Sequence, residues 1–316
     1  MTVEIQEANR TDAHSAEIAE PLPFPFKQGT YCNYESIEKT IEQARVLIVD
    51  NLLRDEGDLS QVAFDEWGKE APNHLRRERQ IATLAMQNIV SNVNRLVKQP
   101  VTRIVHVSQL AEAVADFRPD AIVLSGTLRD FDYYKRELLD DFSDFIRATP
   151  TPVLGICGGH QLIGLSFGER VVTLSRLEQH EQRVNRPQEY QYRFVRIIDP
   201  ADPIFAGIDN PQSRLWQDYT KEARILRVWQ NHGLQIEHLP DGFKLLATSY
   251  LCKNQMMVKR TAAQLIYSVQ FHLEKSFEDW NFSRTRWEHQ NESRDGRILF
   301  ENFLRLALER PNAPHE

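Results

Sequence analysis

Residues 151–164 read TPVLGICGGHQLIG, and the architecture follows from them. TPVLGIC (151–157) is an apolar run of the length of a buried parallel strand, and GGHQLIG opens a helix directly after it. Cys157 stands at the junction, with Gly155 and Gly159 two residues to either side. That is the nucleophile-elbow pattern with sulfur in place of a serine oxygen. The turn holds the nucleophile in a strained backbone conformation, and side chains at the flanking glycine positions would clash. The unpaired N–H groups at a helix start stabilise a thiolate and can hold an oxyanion. Composition alone, with 13 Gly and 3 Cys in 316 residues, puts G-x-C-x-G in only about 0.005 of such chains.

Working outward, the chain alternates. RVLIVDN (45–51) predicts a buried strand, helical patterning follows around 75–98, then TRIVHVS, a helix near 108–117, DAIVLSG (120–126) and a helix near 131–147. Strands separated by helices imply parallel βαβ units, hence an α/β fold: an open, mostly parallel twisted sheet with helices on both faces, flavodoxin-like. SIEKTIEQA (36–44) predicts a short helix ahead of the first strand. After the helix that begins near Gly158, the pieces YRFVRII, ARILRVWQ, FKLLATS, QMMVKR and LIYSVQFHLE predict hairpins and a small antiparallel extension. DGRILFENFLRLALER (295–310) predicts a closing amphipathic helix.

Residues 1–36 lack either period, and PLPFPF (21–26) breaks both, so we expect a polar, partly disordered N-terminal extension ahead of one domain over 37–316. Two stretches of that domain read as insertions, 52–74 and 276–293. The second directly follows His272 and Glu274, and two readings of it stand: it shapes what enters the site, or it is a solvated surface loop.

Hydrophobic residues at 41% and charged residues at 26% suit a globular chain, and no stretch nears the roughly 18 apolar residues of a membrane span. The polar, acidic first residues do not read as a secretory signal, so the expected location is cytoplasmic. A net charge of -7 makes nucleic acid an unexpected partner. Three distant cysteines, Cys32, Cys157 and Cys252, give neither a disulfide framework nor a metal pair. Cys32 and Cys252 read as small buried hydrophobes.

A nucleophile like Cys157 needs a histidine to move its proton and an acid to orient the imidazole. Among ten histidines, His272 stands out because LIYSVQFHLE is an apolar strand ending in a polar pair. Residues i and i+2 of a strand share a face, so Glu274 can reach the side of the sheet where His272 sits. An H-x-E metal site is the weaker reading, with no third ligand apparent. No metal and no cofactor are expected.

These residues resemble the class I, triad-type glutamine amidotransferases, nearest to the glutaminase domain of GMP synthetase. GICGGHQLIG resembles that family's nucleophile segment, VQFHLE is similar to its V-Q-F-H-P-E, and VLSGT (123–127) stands where the family has L-S-G-G. VWQNHG (228–233) resembles the segment that holds the substrate's amino-acid end. LPDGFKLLATS and GRILFENF match in order and spacing, so the resemblance covers residues 45 to 310.

The resemblance implies that L-glutamine is hydrolysed with Cys157 as nucleophile, His272 as base and acid, and Glu274 as orienting carboxylate. It places an oxyanion hole at the Gly158 N–H and the Gly126 loop, and substrate contacts at Gln161, Asn231 and His232. It also implies a separate synthetase subunit that accepts the ammonia, for no G-x-x-x-x-G-K-[ST] phosphate loop is present. Thr127 departs from the pattern by replacing the second glycine of the oxyanion loop, which narrows or reshapes that hole or makes it form only with a partner. Leu273 replaces a proline, and Asn231 stands where serine is frequent. Two other readings stay open: a stand-alone hydrolase of γ-glutamyl amides or peptides, and a non-catalytic glutamine-sensing or scaffold member of the fold. The sequence specifies no oligomeric state.

Overall fold

The structure is a computed structural model and describes residues 38–208, 225–275 and 294–310. Its strands in chain order are β1 (Ile41–Asp50), β2 (Val97–His106), β3 (Ala121–Leu124), β4 (Val153–Ile156), β5 (Val171–Thr173), β6 (Glu189–Ile197), β7 (Ile225–His232), β8 (Leu234–Ile236), β9 (Lys244–Thr248), β10 (Met256–Arg260) and β11 (Leu265–Val269). The helices are α1 (Gln61–Trp67), α2 (Ala71–Leu96), α3 (Leu110–Phe117), α4 (Arg136–Ala148), α5 (Gly158–Ser166) and α6 (Arg294–Leu308).

Nine strands form one sheet in the order β2-β1-β3-β4-β11-β10-β9-β6-β7. From β2 to β11 every neighbour is parallel, and from β11 to β7 every neighbour is antiparallel. β5 and β8 make a separate antiparallel ribbon. The two-residue period sorts the core. Val46, Ile48, Val123, Leu154, Ile156 and Tyr267 pack with α2 and α6, whereas Leu47, Val49, Ile122, Leu124, Val153 and Ile266 pack with α1, α3, α4 and α5. Both faces of the parallel strands are therefore covered, which is why these strands are continuously apolar. Pro100 lies in β2, an edge strand, the place where a sheet tolerates proline.

Three local expectations change. SIEKTIEQA is not helical where it is described: Ile41 to Ala44 already belong to β1 and pair with Val97 to Pro100. Pairing with a neighbouring strand and burial of Ile41 and Ala44 override a weak helical pattern. The stretch 52–74, which lacks a clear period in the sequence, carries helical elements. Ser60 caps α1 by accepting from the Ala63 N–H, and Leu59, Ala63 and Trp67 are buried. Each helical piece there is too short to show a period in the sequence. Third, β11 ends at Val269, so His272 and Glu274 lie beyond the strand rather than on it. The extension at 1–36 and the stretch 276–293 lie outside the described residues. Among the described residues no helix is long and apolar enough to cross a membrane.

Candidate active site

The parallel strands end together, and the crevice beyond their carboxyl ends is where an open α/β sheet presents chemistry. Cys157 follows β4 directly. Its φ of 52° lies in the left-handed region that non-glycine residues avoid, and the conformation is held from both sides. The Cys157 N–H donates to the Val269 carbonyl at 2.8 Å, and its carbonyl accepts from the Gln161 N–H at 3.1 Å. A Cβ on Gly155 would stand 2.8 Å from the Gly159 carbonyl oxygen, so the strand and the first turn of α5 touch backbone to backbone. A Cβ on Gly158 would collide with the backbone nitrogen and hydroxyl of Thr127. The loop after β3 is thus pressed against the start of α5. A Cβ built on Gly126 would lie 3.6 Å from Cys157 Cβ, 3.9 Å from the Gly158 nitrogen and 3.4 Å from His272 Cε1.

His272 arrives from the other side. Past the end of β11 its N–H donates to the Trp229 carbonyl at 2.8 Å, a single bridge to β7 that replaces the expected strand. Leu273 turns into the core at 2% exposure, and Glu274 comes back to place Oε1 2.6 Å from His272 Nδ1. The two side chains meet as expected, but through a turn. Asn92 of α2 fixes that turn by donating to the Glu274 carbonyl at 2.7 Å. Burial works against a charged imidazole, yet the Glu274 carboxylate and a hydrogen bond with Cys157 outweigh it and hold His272 above its ordinary 6.5. Burial likewise pushes Glu274 up, and the charge and hydrogen bond of His272 bring it below 4.5. The pair is ionic, and the second Glu274 oxygen accepts no hydrogen bond among the described residues.

A floor of buried amides lies beneath the sulfur. Gln270 Nε2 points at Cys157 Sγ at 3.8 Å, and its Oε1 accepts from Gln161 Nε2 at 3.0 Å. Gln161 gives its other amide proton to the Leu234 carbonyl at 3.0 Å. His232 is held on one side: Nδ1 lies 2.9 Å from the Leu234 carbonyl, while Nε2 lies 3.1 Å from Glu189 without a hydrogen bond among the described residues. Asn231 is exposed at the rim. His160, one turn into α5, is held by Ser268 and the Asn254 carbonyl, and burial pushes it down to about 3, so it stays neutral.

Cys157, His272, Glu274, Gly126, Gln161, Asn231 and His232 line one cleft of about 260 Å³, and Gly158 abuts it behind Thr127. Gln270 does not stand out in the sequence, although it sits inside VQFHLE, because a fully buried glutamine carries no periodic signal. Arg129, Asp130 and Arg186 also line the cleft without a sequence signal, since their partners lie far away in the chain. Among the described residues no group of three or more His, Cys, Asp or Glu is placed to hold a metal ion.

A family model described as Glutamine amidotransferase class-I matches residues 85–283, a span that contains Cys157, His272 and Glu274. The chain belongs to the class-I glutamine amidotransferases. Relatives include a glutamine-hydrolyzing GMP synthase subunit from Thermococcus kodakarensis, 34% identical over 52% of this chain and 70% of the relative. The corresponding GMP synthase subunit from Pyrococcus abyssi is 31% identical over 52% of this chain and 70% of the relative. A solved structure from Thermoplasma acidophilum, assigned as a GMP synthase subunit, superposes with a TM-score of 0.50 at 24% identity, over 84% of this chain and 94% of that one. This likeness shows that the amidotransferase fold is shared.

Proposed function

We propose that this amidotransferase hydrolyses L-glutamine through Cys157, His272 and Glu274 and passes the ammonia to a separate synthetase subunit. The observation that carries the reading is the convergence on one cleft of a cysteine at a left-handed elbow and a histidine tied to a carboxylate at 2.6 Å. The sulfur attacks the side-chain amide, and the charge that develops on the carbonyl oxygen falls to the N–H groups of Gly158 and the Gly126 loop. One such donor is typically worth about 3 kcal/mol of barrier. His272 gives its proton to the leaving ammonia, and water then hydrolyses the γ-glutamyl thioester to glutamate. Gln161, Asn231 and His232 are the proposed substrate contacts, with Asn231 at the open rim and the other two holding the wall behind it.

The partner follows from chemistry and from the relatives. Ammonia is mostly protonated in neutral water and a poor nucleophile, so a synthetase gains by receiving it in the complex. Relatives named as one subunit of a glutamine-hydrolyzing synthase support a divided enzyme. A second reading has its own observation: Ile81, Ala85 and Ile89 of α2 line the cleft with Glu274, an apolar stripe suited to the carbon substituent of a γ-glutamyl amine.

The test treats the chain with diazo-oxo-norleucine, a glutamine-like electrophile, and maps the adduct by mass spectrometry, with turnover on glutamine and on γ-glutamyl alkylamines measured beside it. The proposal expects the adduct on Cys157 and a preference for glutamine, raised by an added synthetase. Fast unassisted turnover of the alkylamides alone transfers the site to the second reading, and an unlabelled Cys157 would falsify catalysis altogether.

A further inference from the structure

A charged cluster between the oxyanion loop and the Asn231 rim has no part in the chemistry above. Asp130, three residues after Thr127, receives both prongs of the Arg186 guanidinium, Nη1 to Oδ1 at 2.7 Å and Nη2 to Oδ2 at 2.8 Å. Arg183 adds a third bond at 2.9 Å and continues to Asp132 and Glu66 at 2.7 and 2.9 Å. Arg186 is itself held by the carbonyls of Gln182 and Gln179 at 2.9 and 3.0 Å. On the other side of the same loop, Arg129 donates to Glu78 of α2 at 2.7 Å. The stem of Arg186 lies across Gly233, where a Cβ would stand 2.6 Å from Arg186 Cδ. Gly233 directly follows Asn231 and His232, so one side chain runs from the substrate rim to the oxyanion loop. Asp130, Arg186 and Gly233 all line the cleft with Cys157.

Stability alone is a weak reason for this arrangement. The side chains of Arg186 and Asp130 are only 12% and 10% exposed, and desolvation offsets most of what a buried ion pair gains over apolar packing. A two-pronged guanidinium–carboxylate pair does fix direction as well as distance.

We propose that Asp130 and Arg186 are positioning residues. They set the Gly126–Asp130 loop against Cys157 and Gly158, and they tie the oxyanion hole to the rim that receives the substrate. The inference rests on the glutaminase reading. Its experiment compares two reagents at Cys157 in the full chain, each adduct mapped by peptide mass spectrometry. The ketone of diazo-oxo-norleucine uses the oxyanion hole, whereas iodoacetamide reacts by simple displacement and does not.

In Arg186→Gln the diazo ketone should label Cys157 about 10- to 100-fold more slowly, the scale that a misplacement near 1 Å commands, with iodoacetamide labelling within about twofold. Arg186→Lys should fall between, because a lysine keeps the charge and loses the fork. Gly233→Ala keeps both charges and displaces chiefly the Arg186 stem, with a smaller push on the Pro187 carbonyl at 3.1 Å. It should slow the diazo ketone selectively as well, which covers the case in which Arg186→Gln fails to fold. Unchanged labelling in both variants overturns the proposal, and so does equal slowing of both reagents, the mark of a merely structural role. A wild-type chain that takes iodoacetamide at Cys157 but never the diazo ketone sinks the glutaminase reading and this inference with it.

Discussion

Cys157 and Cys252 are both buried and both free, yet they sit in opposite chemical settings. Cys252, between β9 and β10, has no exposed surface, and its sulfur faces the Asn254 carbonyl at 3.5 Å. Burial, with the negative Glu189 nearby, pushes its thiol far up, so it stays protonated. Cys157 is 6% exposed and closes β4 at a left-handed turn, with the Gln270 amide beneath its sulfur and His272 beside it. Burial alone makes an inert thiol. A nucleophile also needs donors and a base at a backbone position that aims the sulfur into a cleft.

The largest expected effect tests that contrast directly. Cys157→Ala should lower glutamine hydrolysis by at least about 10⁴-fold, as removing a nucleophile does elsewhere, while Cys252→Ala should leave the rate within about twofold. Comparable rate losses in the two variants would erase the distinction. Glu274→Gln keeps the shape and removes the charge that holds the imidazolium, so kcat should fall by about 10³- to 10⁴-fold with KM little changed. A kcat near wild type would mean that His272 is oriented by its Trp229 bridge alone.

Gly155→Ala tests the Cys157 elbow from the backbone side. Its Cβ would meet backbone atoms at 2.8 and 2.9 Å, and relief of such overpacking typically costs about 1–3 kcal/mol, read from denaturant midpoints. A neutral result would show that strand and helix can part without strain at the elbow.

The pH dependences act on stability alone, and two histidines predict opposite slopes. His160 is held down to about 3 by burial, so between that value and 6.5 the unfolded chain binds more protons and stability falls as pH falls. His272 is held above 6.5 by Glu274 and Cys157 against the effect of burial. Its contribution is complete below about 6.5 and is lost as pH rises through the raised value. Urea unfolding across both windows should flatten on the acid side in His160→Gln and on the alkaline side in His272→Gln.

Much of this architecture is legible in the sequence because its causes are local. The apolar runs of β1, β3, β4 and β11 mark strands covered on both faces, and glycines two residues either side of Cys157 mark a turn with no room for a Cβ. Where pattern is weak, contacts decide. Ile41 to Ala44 extend because β2 offers a ladder, and α1 forms where Ser60 caps a turn whose Trp67 finds a pocket. His272 and Glu274 meet through a turn fixed by Trp229 and Asn92, neither of which is adjacent in sequence.

The candidate nucleophile, the parallel strands and the pairing of a histidine with a carboxylate two residues on are written in the chain, since sterics and short periods act between neighbours. Their surroundings come from folding: the amide floor of Gln270 and Gln161, 109 residues apart, and the bridge from Asp130 to Arg186, 56 residues apart. Charges and amides carry no period, and their partners are chosen by the packing that brings distant segments into reach.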